Sequence, residues 1–177
     1  MRSLTVWSNG PGETQALGCI LSQWLSGGDV ISLVGDLGAG KTIFVKGIAA
    51  GLGINDSVVT SPTFSLIHEY TGRVPLYHFD AYRLERQEEW EDLGYEEYFR
   101  GSGISVVEWG NLVADYFPKE YLQVELKRES VPDDRRQITF TPVGDRYRQL
   151  LRQLEKEVEH ADFGDRYIHG HRKCCPR

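Results

Sequence analysis

Gly35-Asp36-Leu37-Gly38-Ala39-Gly40-Lys41-Thr42 sets four residues between two glycines and follows them with Lys and Thr, the spacing of a phosphate-binding loop. Glycines admit positive φ, so successive N–H groups can turn inward as a nest for phosphate oxygens. Lys41 adds a point charge for the outer phosphates, and the Thr42 hydroxyl stands where Mg²⁺ is ligated. The flanks agree with this reading. Residues 29–34, Asp-Val-Ile-Ser-Leu-Val, form an apolar run of buried-strand length. After Thr42 and Ile43, Val45, Ile48, Ala49 and Leu52 recur at helical spacing. Strand, glycine loop and helix follow in the order that aims a helix N-terminus at a phosphate.

The 177 residues are 40% hydrophobic and 26% charged, with a net charge of -6. Such a composition suits one soluble globular domain, and the acidic balance argues against broad nucleic-acid binding by this chain alone. Three cysteines, Cys19, Cys174 and Cys175, give no disulfide framework and fit a reducing, cytoplasmic setting. The first ten residues carry no apolar signal core, and no run reaches membrane-span length.

Upstream of the loop, residues 4–8 suggest a short strand. Leu17, Leu21, Trp24 and Leu25 then mark a helix from Glu13 to Gly27-Gly28. Thr14 lies in its first turn, where free N–H groups can meet a ligand or be capped internally. Downstream, a β-branched run from Ser57 leads into Ser61-Pro62-Thr63, whose hydroxyls can serve a turn, a γ-phosphate or a metal-bound water. Residues 65–70 alternate as a strand, and Gly72-Arg73 turns the chain back into residues 74–79. The acid-rich segment 85–92 reads as a solvated helix anchored by Trp90 and Leu93. Residues 121–127 and 136–141 alternate as two last strands, and from Tyr147 the leucines at 150, 151 and 154 outline an amphipathic helix.

Asp80 ends one strand, and Glu108 ends the more continuously apolar Ile104-Ser105-Val106-Val107. Either carboxylate can serve a nucleotide's metal ion or attacking water. His78 shares the face of Asp80 and is either part of the site or a hydrogen-bonded core histidine. Trp109 either packs over a nucleotide or covers the sheet edge. In the tail, His169, His171, Cys174 and Cys175 match no standard zinc spacing. The sequence lacks the Asn-Lys-x-Asp motif expected of a guanine reader, which favours ATP. A small-molecule kinase would share the loop, but the acidic stretch after Arg83 and Arg86 suits a phosphorylated acceptor poorly.

Gly35 to Thr42, Ser61-Pro62-Thr63-Phe64, His78-Phe79-Asp80-Ala81-Tyr82-Arg83-Leu84 and Glu108-Trp109 together resemble the TsaE (YjeE) family of bacterial ATPases. The resemblance runs from about Glu13 to Arg136. It implies an α/β fold, a single-domain P-loop NTPase with a mixed, mainly parallel central sheet flanked by helices. Residues 1–144 are expected to form this domain, and residues 145–177 a C-terminal helix and a basic, mobile tail. It also implies partnership with TsaD and TsaB in forming threonylcarbamoyladenosine in tRNA, with tRNA met only through that complex. By the same resemblance Thr42 and Glu108 hold Mg²⁺ and Asp80 lies near the γ-phosphate, attacking water or metal. Lys41 stabilises phosphate charge, Thr63 is a switch-like hydroxyl, and Trp109 and Arg135 lie nearer the outer part of the nucleotide. The implied function is ATP hydrolysis that resets the complex. The alternatives are a nucleotide-dependent binding module with negligible turnover and a small-molecule kinase. Ile43 stands where many members carry a second hydroxyl. Gly110 replaces the proline common after Glu-Trp, which is expected to loosen that turn.

Overall fold

The computed structural model describes residues 3–84, 86–129 and 134–160, except the side chains of Gln87 and His160. In chain order the elements are β1 (Leu4–Ser8), α1 (Pro11–Ser22), β2 (Val30–Val34), α2 (Lys41–Gly51), β3 (Ile67–Tyr70), β4 (Leu76–Asp80), α3 (Gln87–Asp92), α4 (Tyr95–Phe99), β5 (Ile104–Glu108), β6 (Tyr121–Arg128), β7 (Arg136–Val143) and α5 (Asp145–His160). The strands form one seven-stranded sheet in the order β1-β7-β6-β2-β5-β4-β3. Its four central strands, β6, β2, β5 and β4, run parallel, and both flanks are antiparallel. The central strands β2 and β5 are short and almost continuously apolar because both their faces are covered.

Strand alternation sorts the core into two layers. Ile31 and Leu33 of β2, Leu76 of β4, and Ile104 and Val106 of β5 face α1, α2 and α5, where Leu17, Leu21, Phe44, Ile48, Leu150 and Leu154 meet them. Val30, Phe79 and Val107 face the other way, onto Trp90 and Phe99. The acid-rich α3 is held by the fully buried Trp90, whose ring lies 5.3 Å from Phe79 and stacks on Tyr95. Among the described residues no helix is long and apolar enough to cross a membrane.

Several boundaries differ from the sequence expectation for local reasons. Helix α1 begins at Pro11 rather than Glu13, since proline suits the first helical position. It ends at Ser22, so Trp24 and Leu25 lie beyond it, and the Ser22 hydroxyl donates to the Cys19 carbonyl (2.7 Å). Strand β3 starts only at Ile67. Before it, the N–H groups of Ser65 and Leu66 both bond to the Pro62 carbonyl, and Leu66 takes a φ of 64° while its carbonyl accepts from the Asp80 N–H (3.1 Å). The tail histidines and cysteines, and most of the link between β6 and β7, lie outside the described residues.

Helix α5 packs into the same core as the rest of the chain. Tyr147, Leu150, Leu151 and Leu154 are buried in it. Its first turn grips the start of β2. Arg146 makes a two-pronged contact with Asp29 (2.7 and 3.2 Å), and the Val30 N–H donates to the Tyr147 oxygen (2.6 Å). Burial, reinforced by the neighbouring Asp29 carboxylate, raises the Tyr147 phenol above its ordinary value of 10.0.

The unfolded chain releases that phenolic proton near pH 10 while the folded chain keeps it. The contribution of Tyr147 is therefore intact below about pH 10 and is lost as the pH climbs toward its folded value. Tyr147→Phe is expected to cost about 1–3 kcal/mol near neutral pH by stranding the Val30 N–H. It should also flatten the fall in stability above pH 10, as read by urea denaturation across a pH series.

Candidate nucleotide site

The loop of residues 35–40 leaves the end of β2 and runs into α2, whose first residues are Lys41, Thr42 and Ile43. The early N–H groups of such a helix have no intrahelical partner and open onto the loop. Gly40 has a φ of 108°, and a Cβ built there would lie 3.1 Å from Arg136 Nε. The left-handed φ is what calls for glycine, and an added Cβ would also press on the Arg136 side chain. The Arg136 side chain, almost wholly buried at the start of β7, donates from Nε to the Ala39 carbonyl (3.2 Å) and pairs through Nη2 with Asp134 (3.1 Å). A buried guanidinium thus braces the loop from beneath. Leu37, at the tip, is 80% exposed.

Lys41 folds back over the loop and donates to the carbonyls of Gly35 (2.7 Å) and Asp36 (3.0 Å). Its ammonium also sits 3.8 Å from the centroid of the Trp109 ring. Burial lowers its pKa from 10.5, while Glu108, Asp80 and Asp36 draw it back up. Burial is the larger of the two influences, and the carboxylates partly offset it.

The parallel register between β4 and β5 sets Asp80 opposite Glu108. Thr42 Oγ1 donates to Glu108 Oε1 (2.8 Å), and the fully buried His78 meets the same oxygen through Nε2 (2.9 Å). Asp80 Oδ2 accepts from Ser61 Oγ (2.6 Å) and Thr63 Oγ1 (2.9 Å), while Oδ1 accepts from the Tyr82 N–H (3.0 Å). Thr42, Glu108 and Asp80 are hard oxygen donors of the class magnesium takes, and magnesium commonly uses only one or two protein carboxylates beside substrate phosphates. Among the described residues no cluster of three His, Cys, Asp or Glu forms a ready-made metal cage.

Trp109 follows Glu108 with a φ of 59°, a conformation rare for a bulky side chain. It tilts against Tyr82 at 4.8 Å between ring centroids. The turn beyond it packs closely on β2: a Cβ at Gly110 would lie 2.2 Å from Ser32 Oγ. A cleft of about 160 Å³ lies between Trp109 and the loop, with Asp36, Asn111, Glu125 and Lys127 on its walls.

The remaining expected residues lie on the other side of the loop. Thr14 is fully buried, and its hydroxyl bonds to Ser8 Oγ (2.8 Å) and the Gly10 carbonyl (3.2 Å). Its polar group is used in joining β1 to α1. Arg135 stacks its guanidinium on Trp7 at 4.6 Å. Two residues that matter here escaped the sequence reading, Arg136 and Ser61 in its role beside Asp80. A signal existed for Arg136, which shares the inward face of Ile138 and Phe140 in the alternation of β7.

Glycine loop, helix and parallel strands make this a single-domain α/β protein of the P-loop class. Within that class one family fits. Residues 8–138 match the family described as "Threonylcarbamoyl adenosine biosynthesis protein TsaE", and the chain belongs to it. It is 48% identical over 157 residues to the Bacillus subtilis "tRNA threonylcarbamoyladenosine biosynthesis protein TsaE", covering 88% of this chain and 96% of that protein. The protein of the same description from Treponema pallidum is 43% identical over 127 residues, covering 72% of this chain and 92% of that one. Among solved structures, the crystal structure of Bacillus subtilis YdiB superposes with a TM-score of 0.75 at 43% identity, covering 88% of this chain and 96% of that one.

Arg136→Ala is expected to weaken ADP binding by about tenfold to a hundredfold, because a hydrogen bond from a charged group contributes about 1.5–3 kcal/mol and each 1.4 kcal/mol is tenfold. Calorimetric titration of the folded variant with ADP measures this.

Proposed function

We propose that this protein binds and hydrolyses ATP with magnesium and acts with TsaD and TsaB in forming threonylcarbamoyladenosine in tRNA. Hydrolysis serves to reset the assembly. The observation that carries this reading is the contact between Thr42 and Glu108 at 2.8 Å, with Asp80 in register beside it. It unites the loop hydroxyl and the strand-end carboxylate that a nucleotide's cation requires. The names of the relatives support the setting in tRNA modification.

Each side chain then has a task. The loop and α2 N–H groups hold phosphate oxygens, and Lys41 exchanges its two carbonyl partners for phosphate charge. Thr42 and Glu108 would hold magnesium, which when bound neutralises charge on the phosphates. Asp80 is the group for orienting a water molecule, yet both its oxygens are engaged by Ser61, Thr63 and the Tyr82 N–H. Movement of the 61–63 turn would free more of that carboxylate for water. A partner is well placed to move it. Phe64 is 88% exposed and Tyr82 49% exposed beside this turn, and large apolar side chains displayed together suit a protein interface. Trp109 and Arg135 flank the two sides of the nucleotide.

Two measurements test this reading. Lys41→Ala is expected to lower ATP affinity or turnover by about 1.5–3 kcal/mol, the worth of a charge-assisted hydrogen bond. Unchanged binding and turnover would remove the site assignment. In a reconstituted mixture with TsaB, TsaD and tRNA, a non-hydrolysable ATP analogue is expected to support one round of modification. Repeated rounds would instead favour a binding module that needs no hydrolysis, and transfer of phosphate to an acceptor would favour a kinase.

A further inference from the structure

We propose that His78 is a positioning residue that fixes the Glu108 carboxylate so that its second oxygen is presented to the nucleotide's divalent cation. The proposal rests on the reading of Glu108 as a cation holder. Alternation along β4 puts Leu76, His78 and Asp80 on the face that looks toward α2, and the same alternation along β5 puts Val106 and Glu108 there. His78 pairs in register with Val106. Its imidazole therefore reaches one step along β5, to Glu108.

The surroundings of His78 favour an apolar side chain. The residue is fully buried, and Leu76 and Val106 beside it belong to the apolar core. A buried polar group is tolerated where it gains a hydrogen bond that the site uses. Among the described residues the bond from Nε2 to Glu108 Oε1 is the one the His78 side chain makes, and Nδ1 has no partner there. A carboxylate oxygen accepts and does not donate, so the hydrogen of this bond comes from the imidazole. The proton sits on Nε2 and points at Glu108.

Thr42 Oγ1 and His78 Nε2 thus converge on the same carboxylate oxygen, Oε1. A carboxylate held through one oxygen by two donors cannot spin about its terminal bond, and Oε2 keeps a fixed outlook. Removing His78 leaves Thr42 as the single restraint, and Thr42 itself is needed at the cation. Outer partners of this kind commonly change metal affinity about 10–100-fold when removed.

The test measures ADP affinity by calorimetry as a function of magnesium concentration and again with EDTA, using the full chain. His78→Leu keeps the bulk and removes the donor. It is expected to shift the magnesium midpoint upward at least about tenfold while leaving affinity in EDTA unchanged. His78→Gln places an amide N–H at the reach of Nε2 and is expected to restore the wild-type midpoint. His78→Asn, a shorter polar side chain that serves if the leucine variant does not fold, is expected to behave like it. Glu108→Gln provides the reference, with an expected shift at least as large. Wild-type midpoints in His78→Leu or His78→Asn beside a shifted Glu108→Gln would overturn the role of His78 and leave that of Glu108 intact. An unshifted Glu108→Gln would overturn the reading of Glu108, and this proposal with it.

Discussion

Three parallel strands that stop at one level make the site possible. Hydrogen bonding sets Leu33 of β2 beside Glu108 of β5, and Glu108 beside Asp80 of β4. Past Leu33 the chain has one more strand residue before it enters the glycine loop, so the loop and both carboxylates share one rim of the sheet. Ladder register is discrete, and a slip of one residue would turn each carboxylate to the opposite face. The buried core on both sides of β2 and β5 forbids that slip.

Charge placement follows from this register. Lys41 is buried among three carboxylates, and Arg136 is buried beneath the loop with Asp134 as its partner. Isolated charges of this sort would be costly, and each is tolerated because opposite charge or backbone carbonyls surround it. The result is a loop whose shape is held from below by a guanidinium and whose mouth is closed from above by an ammonium lying on Trp109. The positive φ of Trp109 is a local cost that this arrangement stabilises.

Much of this could be read from the sequence, and the rest could not for identifiable reasons. That the glycine loop, Thr42, Asp80 and Glu108 would be gathered at one place was legible because their residue types stand at a fixed spacing or at strand ends. The α/β fold was legible because strand-length apolar runs alternate with helical spacing. Arg136 was overlooked beside Arg135 although alternation with Ile138 and Phe140 marked it as inward-facing; that it meets the glycine loop depends on pairing with β6 and β1, segments distant in sequence. The bond between His78 and Glu108 likewise depends on the β4/β5 register. The early end of α1 came from a serine hydroxyl competing for a backbone carbonyl, which periodicity does not register.

The placement of β1 bears on how the chain reaches this structure. The first strand made finds its neighbour in β7, with Leu4 beside Phe140 and Ser8 beside Arg136. During synthesis β1 has no ladder to join until nearly all the strands exist, and closing so long a loop is entropically slow. The parallel strands from β2 to β5 can associate earlier, but the guanidinium under the glycine loop arrives only with β7. The glycine loop therefore gains its buried brace only late in folding, and a nascent chain lacking its last strand carries the glycine motif without the guanidinium that shapes it.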